Sequence, residues 1–299
     1  MRWSLAICII IFSLTGCLKE QQLGSIDNPI KLFFTPSISS GIITENSKVF
    51  LQYLEQETGL YFITKIPTSY IAVVEAFGSK RADIGIMNSF GYLLAHEKYG
   101  ATAELKIIRY GRDFYRGQIV AHVDSGIKAI KDIQGKRFAF TDSSSASGYM
   151  FPLKILMENK VKPGNTVFAI KHDNVISMIY QGQVKAGSTF HSAPSADGTI
   201  NDARRLVLTQ FPDVMDKIKI IAITDKIPND PFVFREDLSN EIKKKFKHAL
   251  FKFLKTKKGQ DIFFNIYNFK GVVPAIDSDY DNLRNVIKTI KLDLDGLIK

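Results

Sequence analysis

Cysteine is nearly missing from this 299-residue chain: there are only two, Cys8 and Cys17. The sequence beyond Cys17 therefore has no thiol for a disulfide, a metal–sulfur bond or a nucleophile. Long hydrophobic runs are missing too. The stretch Leu5-Ala6-Ile7-Cys8-Ile9-Ile10-Ile11-Phe12 falls far short of the roughly 20 residues that span a bilayer. The five histidines, His96, His122, His172, His191 and His248, show no His-x-x-x-His spacing, which argues against a zinc site. No Gly-x-Ser-x-Gly elbow occurs, which argues against a serine hydrolase of the common α/β type. Acidic residues are outnumbered, 30 against 40 basic ones, for a formal net charge of +10.

At the start of the chain, Arg2 precedes the apolar run, and Leu14-Thr15-Gly16-Cys17 closes the segment. That order fits an export signal over residues 1–17. The closing tetrad resembles a bacterial lipobox, which implies a mature chain beginning at a lipidated Cys17 and held to a membrane through that lipid. Residues 18–29 read as a polar tether. About 280 residues then remain, enough for two domains or one large one. Much of the positive charge lies in Asn240 to Gly259 (NEIKKKFKHALFKFLKTKKG). There Ile242, Phe246, Ala249, Leu250 and Phe253 repeat at helical spacing, and the lysines read as a solvated face. An exported protein is not expected to bind nucleic acid.

Strand and helix patterns alternate from Ile30 onward, which gives an α/β fold with mostly parallel sheets. Residues 46–59 and 69–77 are expected helices, and residues 193–212 break the rhythm as an excursion. Beyond Pro231 the chain reads as mainly helical, with 271–277 as a loop. The most informative stretch is Arg137-Phe138-Ala139-Phe140-Thr141-Asp142-Ser143-Ser144-Ser145-Ala146-Ser147-Gly148-Tyr149. A short strand leads into a hydroxyl-rich loop, and a helix follows over 149–160. Such a turn aims backbone N–H groups and serine hydroxyls at one spot before a helix N-terminus, a seat for a small oxyanion. Ser145 or Ser147 would cap that helix with or without a ligand.

Six segments carry a family resemblance. They are Phe34-Thr35-Pro36-Ser37, Tyr70-x-x-Val73-x-Glu75-Ala76, Ala82-Asp83-Ile84-Gly85, Ser145-Ala146-Ser147-Gly148-Tyr149-x-Phe151-Pro152, His172-Asp173-x-Val175-Ile176 and Ile227-Pro228-Asn229-Asp230-Pro231-x-Val233-Phe234-Arg235. In this order they resemble the phosphate/phosphite/phosphonate-binding receptors of ABC importers. The resemblance implies the type II periplasmic-binding-protein fold, two α/β lobes joined by two crossing strands with the ligand cleft between them. Lobe one would hold residues 26–115 and 227–299, and lobe two 116–226. It also implies a monomeric, cofactor-free receptor, not an enzyme, whose partners are a phosphorus oxyanion and a permease.

By the same resemblance the ligand residues would be Tyr70, Tyr115, Ser145, Ala146, Ser147, His172, His191 and Asp230. Ala146 departs from the family's frequent threonine and removes one hydroxyl. His191 replaces an acidic residue found in receptors of amino-bearing phosphonates, which speaks against an aminoalkyl ligand. Asp230 would accept a proton carried by phosphate, phosphite or phosphonate, which fully ionised sulfate lacks. Protonated His172 or His191 would add donors. Taken without the resemblance, Tyr70 reads equally as a core-edge aromatic, His172 as a helix-capping residue and Asp230 as a turn residue. Two other functions fit parts of the pattern: a sensing subunit for a kinase, with the same cleft, and a hydrolase using Ser147, His172 and Asp230.

Overall fold

Short apolar runs bounded by glycine, proline and charge set the strands of the computed structural model, which describes residues 21–36 and 40–293. The leader, Cys17 and Ser37 lie outside the described residues. The strands are β1 Ile30–Phe34, β2 Phe62–Lys65, β3 Ile84–Ile86, β4 Thr102–Ile108, β5 Phe114–His122, β6 Phe138–Phe140, β7 Thr166–Phe168, β8 Ala186–His191, β9 Ile218–Pro228, β10 Pro231–Phe234 and β11 Gly271–Pro274. The helices are α1 Ser40–Thr58, α2 Tyr70–Gly78, α3 Ser89–Tyr99, α4 Phe151–Glu158, α5 His172–Tyr180, α6 Val214–Lys217, α7 Asn240–Leu254, α8 Lys257–Tyr267 and α9 Asp281–Ile290. Among the described residues no helix is long and apolar enough to cross a membrane.

The strands form two sheets, ordered β11-β4-β10-β3-β1-β2 and β7-β6-β8-β5-β9. The chain leaves the first sheet through residues 109–113 and returns through 229–230. β5 and β9 pair antiparallel from Phe114↔Pro228 to His122↔Ile218, so the two crossings lie side by side. On one face of the six-stranded sheet, Phe50 of α1, Phe246 of α7 and Phe263 of α8 meet Phe34 and Phe232 of the strands. Each such buried ring contributes about 1.5–3 kcal/mol. On the other face, α2, α3 and α9 bring Val74, Phe90 and Val286 together, and this cluster also takes in Ala146, Met150 and Phe151. The serine turn of the second half is thereby pressed against helices of the first.

The structure departs from the sequence reading in several places. The sheets are mixed: β1/β2, β1/β3, β6/β7 and β6/β8 are parallel, while β10, β11, β5/β8 and β5/β9 pair antiparallel. β10 sits between β3 and β4, and β11 replaces the expected loop. Both are four-residue strands bounded by proline, too short to show alternation. Residues 23–29 are not a free tether, because Gly24 exchanges backbone hydrogen bonds with Asn28 and Tyr61. The lysine-rich stretch is two helices separated at Lys255 and Thr256. Its Lys243 is buried and pairs with Glu104 at 3.2 Å, so it does not belong to a solvated face. The 193–212 excursion is anchored, with Ala203 and Val207 in the core beside α5.

Candidate functional site

The serine turn is built by side chains that bond their own backbone. Asp142 Oδ1 accepts from the Ser144 amide at 2.8 Å, and the Asp142 carbonyl accepts from the Ser145 amide at 3.0 Å. Ser145 Oγ then caps the helix by accepting from the Gly148 amide at 3.0 Å. The first turn, Ala146–Met150, is a wide π-turn that passes directly into α4. The helix therefore starts three residues earlier than the sequence pattern indicates, so Ala146 and Ser147 are its leading residues. Their amides have no acceptor within the helix. Pro152, the second residue of α4, brings no N–H to the Gly148 carbonyl four residues back.

Two glycines fix this turn in place. A Cβ on Gly148 would lie 2.2 Å from Thr141 Oγ1 and 2.5 Å from Thr141 Cβ, both part of a packed strand end. The Gly148 carbonyl accepts from Ser188 Oγ at 2.7 Å and the Thr141 amide at 3.2 Å. A Cβ on Gly117 would lie 2.6 Å from the Ser147 carbonyl oxygen. Strand β5 thus backs directly onto Ser147, and the next strand position toward the crossing is held by Arg116 and Tyr115.

Ser147 is 2% exposed, and its hydroxyl lies near enough to the Tyr115 phenol to act on its proton. Burial pushes Tyr115 far above the ordinary phenol range; the Asp230 charge adds to this, while Arg109 and the neighbouring Ser147 hydroxyl oppose it. Tyr70 opens α2, behind a Ser69 cap that accepts from the Ala72 amide at 3.2 Å. Its phenol is pushed up to about 12, mainly by burial and then by Asp230 and Asp142. Asp230 lies in the return crossing, where Arg109 of the outgoing crossing donates to its Oδ2 at 2.6 Å. Arg109 Nε also donates to the Tyr267 carbonyl at 2.9 Å, and Tyr267 Oη donates to the Thr35 carbonyl at 2.7 Å. The structure thus gathers Tyr70, Tyr115, Ser147 and Asp230 with Arg109 in one polar cluster between the halves.

His172 begins α5 and is joined to the same turn through Thr141, with Nδ1 3.2 Å from Thr141 Oγ1. Its ring meets Phe190 edge-on at 5.0 Å. Burial lowers its pKa to about 4, so it is neutral near pH 7 and the expected protonated donor is not formed. His191 lies at the end of β8, opposite Arg116, with Nδ1 3.1 Å from Gln118 Oε1. Strand alternation sends it to the face opposite Ser188 and Phe190. Burial lowers its proton affinity as well, so neither histidine supplies the expected charge. The imagined hydrolase triad is not linked. Ser147 lies by Tyr115, His172 meets Thr141, and Asp230 pairs with Arg109.

Sequence reasoning missed Arg109, Thr141 and Tyr267. Arg109 left one signal, a cation directly after the last two apolar residues of β4, Ile107 and Ile108. Surface hollows of about 530 Å³ around Lys106 and Asp113, and about 370 Å³ around Lys31 and Arg235, contain none of the candidate residues. Both are bordered by ion-paired side chains. They lack the convergent hydroxyls and helix head found at Ser147, and that chemistry outweighs their size.

Two mixed sheets joined by paired crossings, with a hydroxyl-rich helix head between the halves, define the type II periplasmic-binding-protein fold. The family described as ABC transporter, phosphonate, periplasmic substrate-binding protein matches residues 32–280, and the chain belongs to that family of transport receptors. It is 25% identical to the phosphate-import protein PhnD of Mycolicibacterium smegmatis, over 94% of this chain and 92% of the relative. It is 24% identical to the phosphonates-binding periplasmic protein of Escherichia coli, over 82% and 72% respectively. The solved structure of PhnD1 from Prochlorococcus marinus in complex with methylphosphonate superposes with a TM-score of 0.70 at 18% identity, covering 88% of this chain and 98% of that one.

Proposed function

We propose that this protein is the extracytoplasmic receptor of an ABC importer for a phosphorus oxyanion: phosphate, phosphite or a small phosphonate. The observation that carries the reading is the Ser147–Tyr115 hydroxyl pair at a helix head, beside the Arg109–Asp230 ion pair. An oxyanion is costly to bury unless its oxygens meet donors. Here the amides of Ala146 and Ser147, the hydroxyls of Ser145, Ser147, Tyr70 and Tyr115, and the helix dipole supply them. Neutral His172 adds one N–H at most. Asp230 Oδ2 is taken by Arg109, and Oδ1 retains the capacity to accept the proton of a phosphorus oxyacid. Sulfate offers no such proton. Because Arg109 screens the carboxylate, we place the discrimination at the low end of a 1–3 kcal/mol range, about tenfold. The roles of the relatives, phosphate import and phosphonate binding, support the same ligand class.

Residues 26–115 with 227–299, and residues 116–226, would act as two lobes that close over the anion and present the closed form to a permease. A lipid on Cys17 would hold a monomeric receptor at the outer face of the membrane, a reading supported by Leu14-Thr15-Gly16-Cys17. Calorimetric titration of the purified protein with phosphate, phosphite, methylphosphonate and sulfate tests the ligand class. A phosphorus oxyanion should bind one to one with a micromolar or tighter constant, about −8 kcal/mol. Sulfate binding of equal strength would remove the role given to Asp230, and absence of binding by all four would remove the proposal.

A further inference from the structure

We propose that Tyr110 and Arg205 form a second anion-binding subsite beside the phosphorus site, and that the receptor's ligands include phosphonates bearing a second acidic group. This rests on the reading of Ser147 and Tyr115 as the primary anion site, and it adds the chemical class of the substituent.

Three observations converge. The Tyr110 hydroxyl and Arg205 Nε are both buried without a hydrogen-bond partner, and the Arg205 guanidinium lies 6.0 Å from the centre of the Tyr110 ring. Unpaired buried polar atoms are rare in folded proteins, and two on neighbouring side chains call for an acceptor that the chain does not supply. Second, Tyr110 has φ +49° and Gly111 φ +74°, in a tight turn closed by reciprocal Arg109–Arg112 backbone bonds of 2.9 Å. Both central residues are left-handed, a conformation that favours Asn or Gly and is costly for tyrosine. Such strain gathers where a side chain must be held for function.

Third, the surroundings are cationic and uncompensated. Arg204 is neutralised by Asp202, with contacts of 3.0 and 2.8 Å. By contrast, among the described residues Arg112, Arg116 and Arg205 make no salt bridge. Arg112 and Arg116 lie against the Phe114 ring instead, at 5.7 and 5.9 Å. His191 registers this field: burial is the main cause of its lowered proton affinity, and Arg204, Arg116 and Arg112 add to it against Asp202. The subsite adjoins the primary site because Tyr110 follows Arg109, whose charge interacts with both Tyr110 and Tyr115. Arg205 comes from the 193–212 excursion, so the segment that broke the sequence rhythm supplies the new donor. A carboxylate or second phosphoryl group would accept from Arg205 Nε and Tyr110 Oη. An ammonium group would meet cations there.

The test is calorimetry on the exported protein with methylphosphonate, propylphosphonate, 3-phosphonopropionate, 2-aminoethylphosphonate and pyrophosphate. The carboxylate and pyrophosphate arms separate the two kinds of second anion. At least one of 3-phosphonopropionate and pyrophosphate should bind about tenfold or more tighter than propylphosphonate, and 2-aminoethylphosphonate should bind weakest. Arg205→Met should erase most of that advantage while leaving the methylphosphonate constant within about threefold. Tyr110→Phe, which keeps the ring, should erase part of it. The subsite is overturned if methylphosphonate binds but neither 3-phosphonopropionate nor pyrophosphate gains over propylphosphonate, or if Arg205→Met weakens every ligand equally. If methylphosphonate and phosphate both fail to bind, the primary reading falls and the subsite falls with it.

Discussion

Replacing Ser147 by alanine removes one hydroxyl from a residue that is 2% exposed and neighbours the Tyr115 phenol; we take the two hydroxyls to share one hydrogen bond. In the unliganded protein the loss should be felt as stability. A neutral hydrogen bond contributes about 0.5–1.5 kcal/mol, and a buried partner left unpaired raises the cost toward about 1–3 kcal/mol. For a chain of this size that is a fall in melting temperature of about 2–6 °C. Tyr115→Phe should cost a similar amount, since it strands the Ser147 hydroxyl. The double variant should cost little more than either single one, because both report the same bond. In binding, the Ser147 hydroxyl faces a charged acceptor, and its removal should weaken phosphate or methylphosphonate by about 1.5–3 kcal/mol, roughly tenfold to 150-fold. Calorimetry for affinity and thermal unfolding for stability give both axes on the same samples. Additive stability losses would refute the shared bond. An unchanged dissociation constant in Ser147→Ala would refute the placement of the anion at this helix head.

Gly148→Ala should lower stability by about 1–3 kcal/mol, because its Cβ would lie 2.2 Å from Thr141 Oγ1; chemical denaturation would measure this, and a neutral result would mean that the turn can shift. Arg109→Ala leaves the Asp230 carboxylate, 19% exposed at its side chain, without its partner; the expected cost is about 3 kcal/mol, with loss of anion affinity and partial recovery in Arg109→Lys. His172 gives a pH signature. The unfolded ring takes a proton near pH 6.5 and the folded one near pH 4, so its contribution is complete above about pH 6.5 and is lost as pH falls toward 4. The ceiling is about 3 kcal/mol, reduced by partial solvent access to the ring, and His172→Gln should flatten the stability profile over that window.

The serine turn was legible because its chemistry is local. Hydroxyls, a glycine and a helix start fall within a few residues, and the cap by Ser145 follows from that order. The two halves were legible through the resemblance, not through linker composition, since the crossings at 109–113 and 229–230 carry no linker signature. What escaped was long-range. Asp230 reads as a lone carboxylate in a proline turn, and only the side-by-side crossings reveal that Arg109, 121 positions earlier, neutralises it. The same holds for His172, whose neutral state depends on its burial beside Phe190 and Thr141. β10 was hidden because Pro-Phe-Val-Phe is fully buried on both faces, which erases the alternation that marks a half-exposed strand.

A co-crystal structure with methylphosphonate tests the anion seat most directly. Phosphonate oxygens should lie within about 3 Å of Ser147 Oγ, Tyr115 Oη and the leading helix amides, the hydrogen-bond range. A phosphorus position away from that helix head, or a crystal grown in excess ligand that binds none, would contradict it.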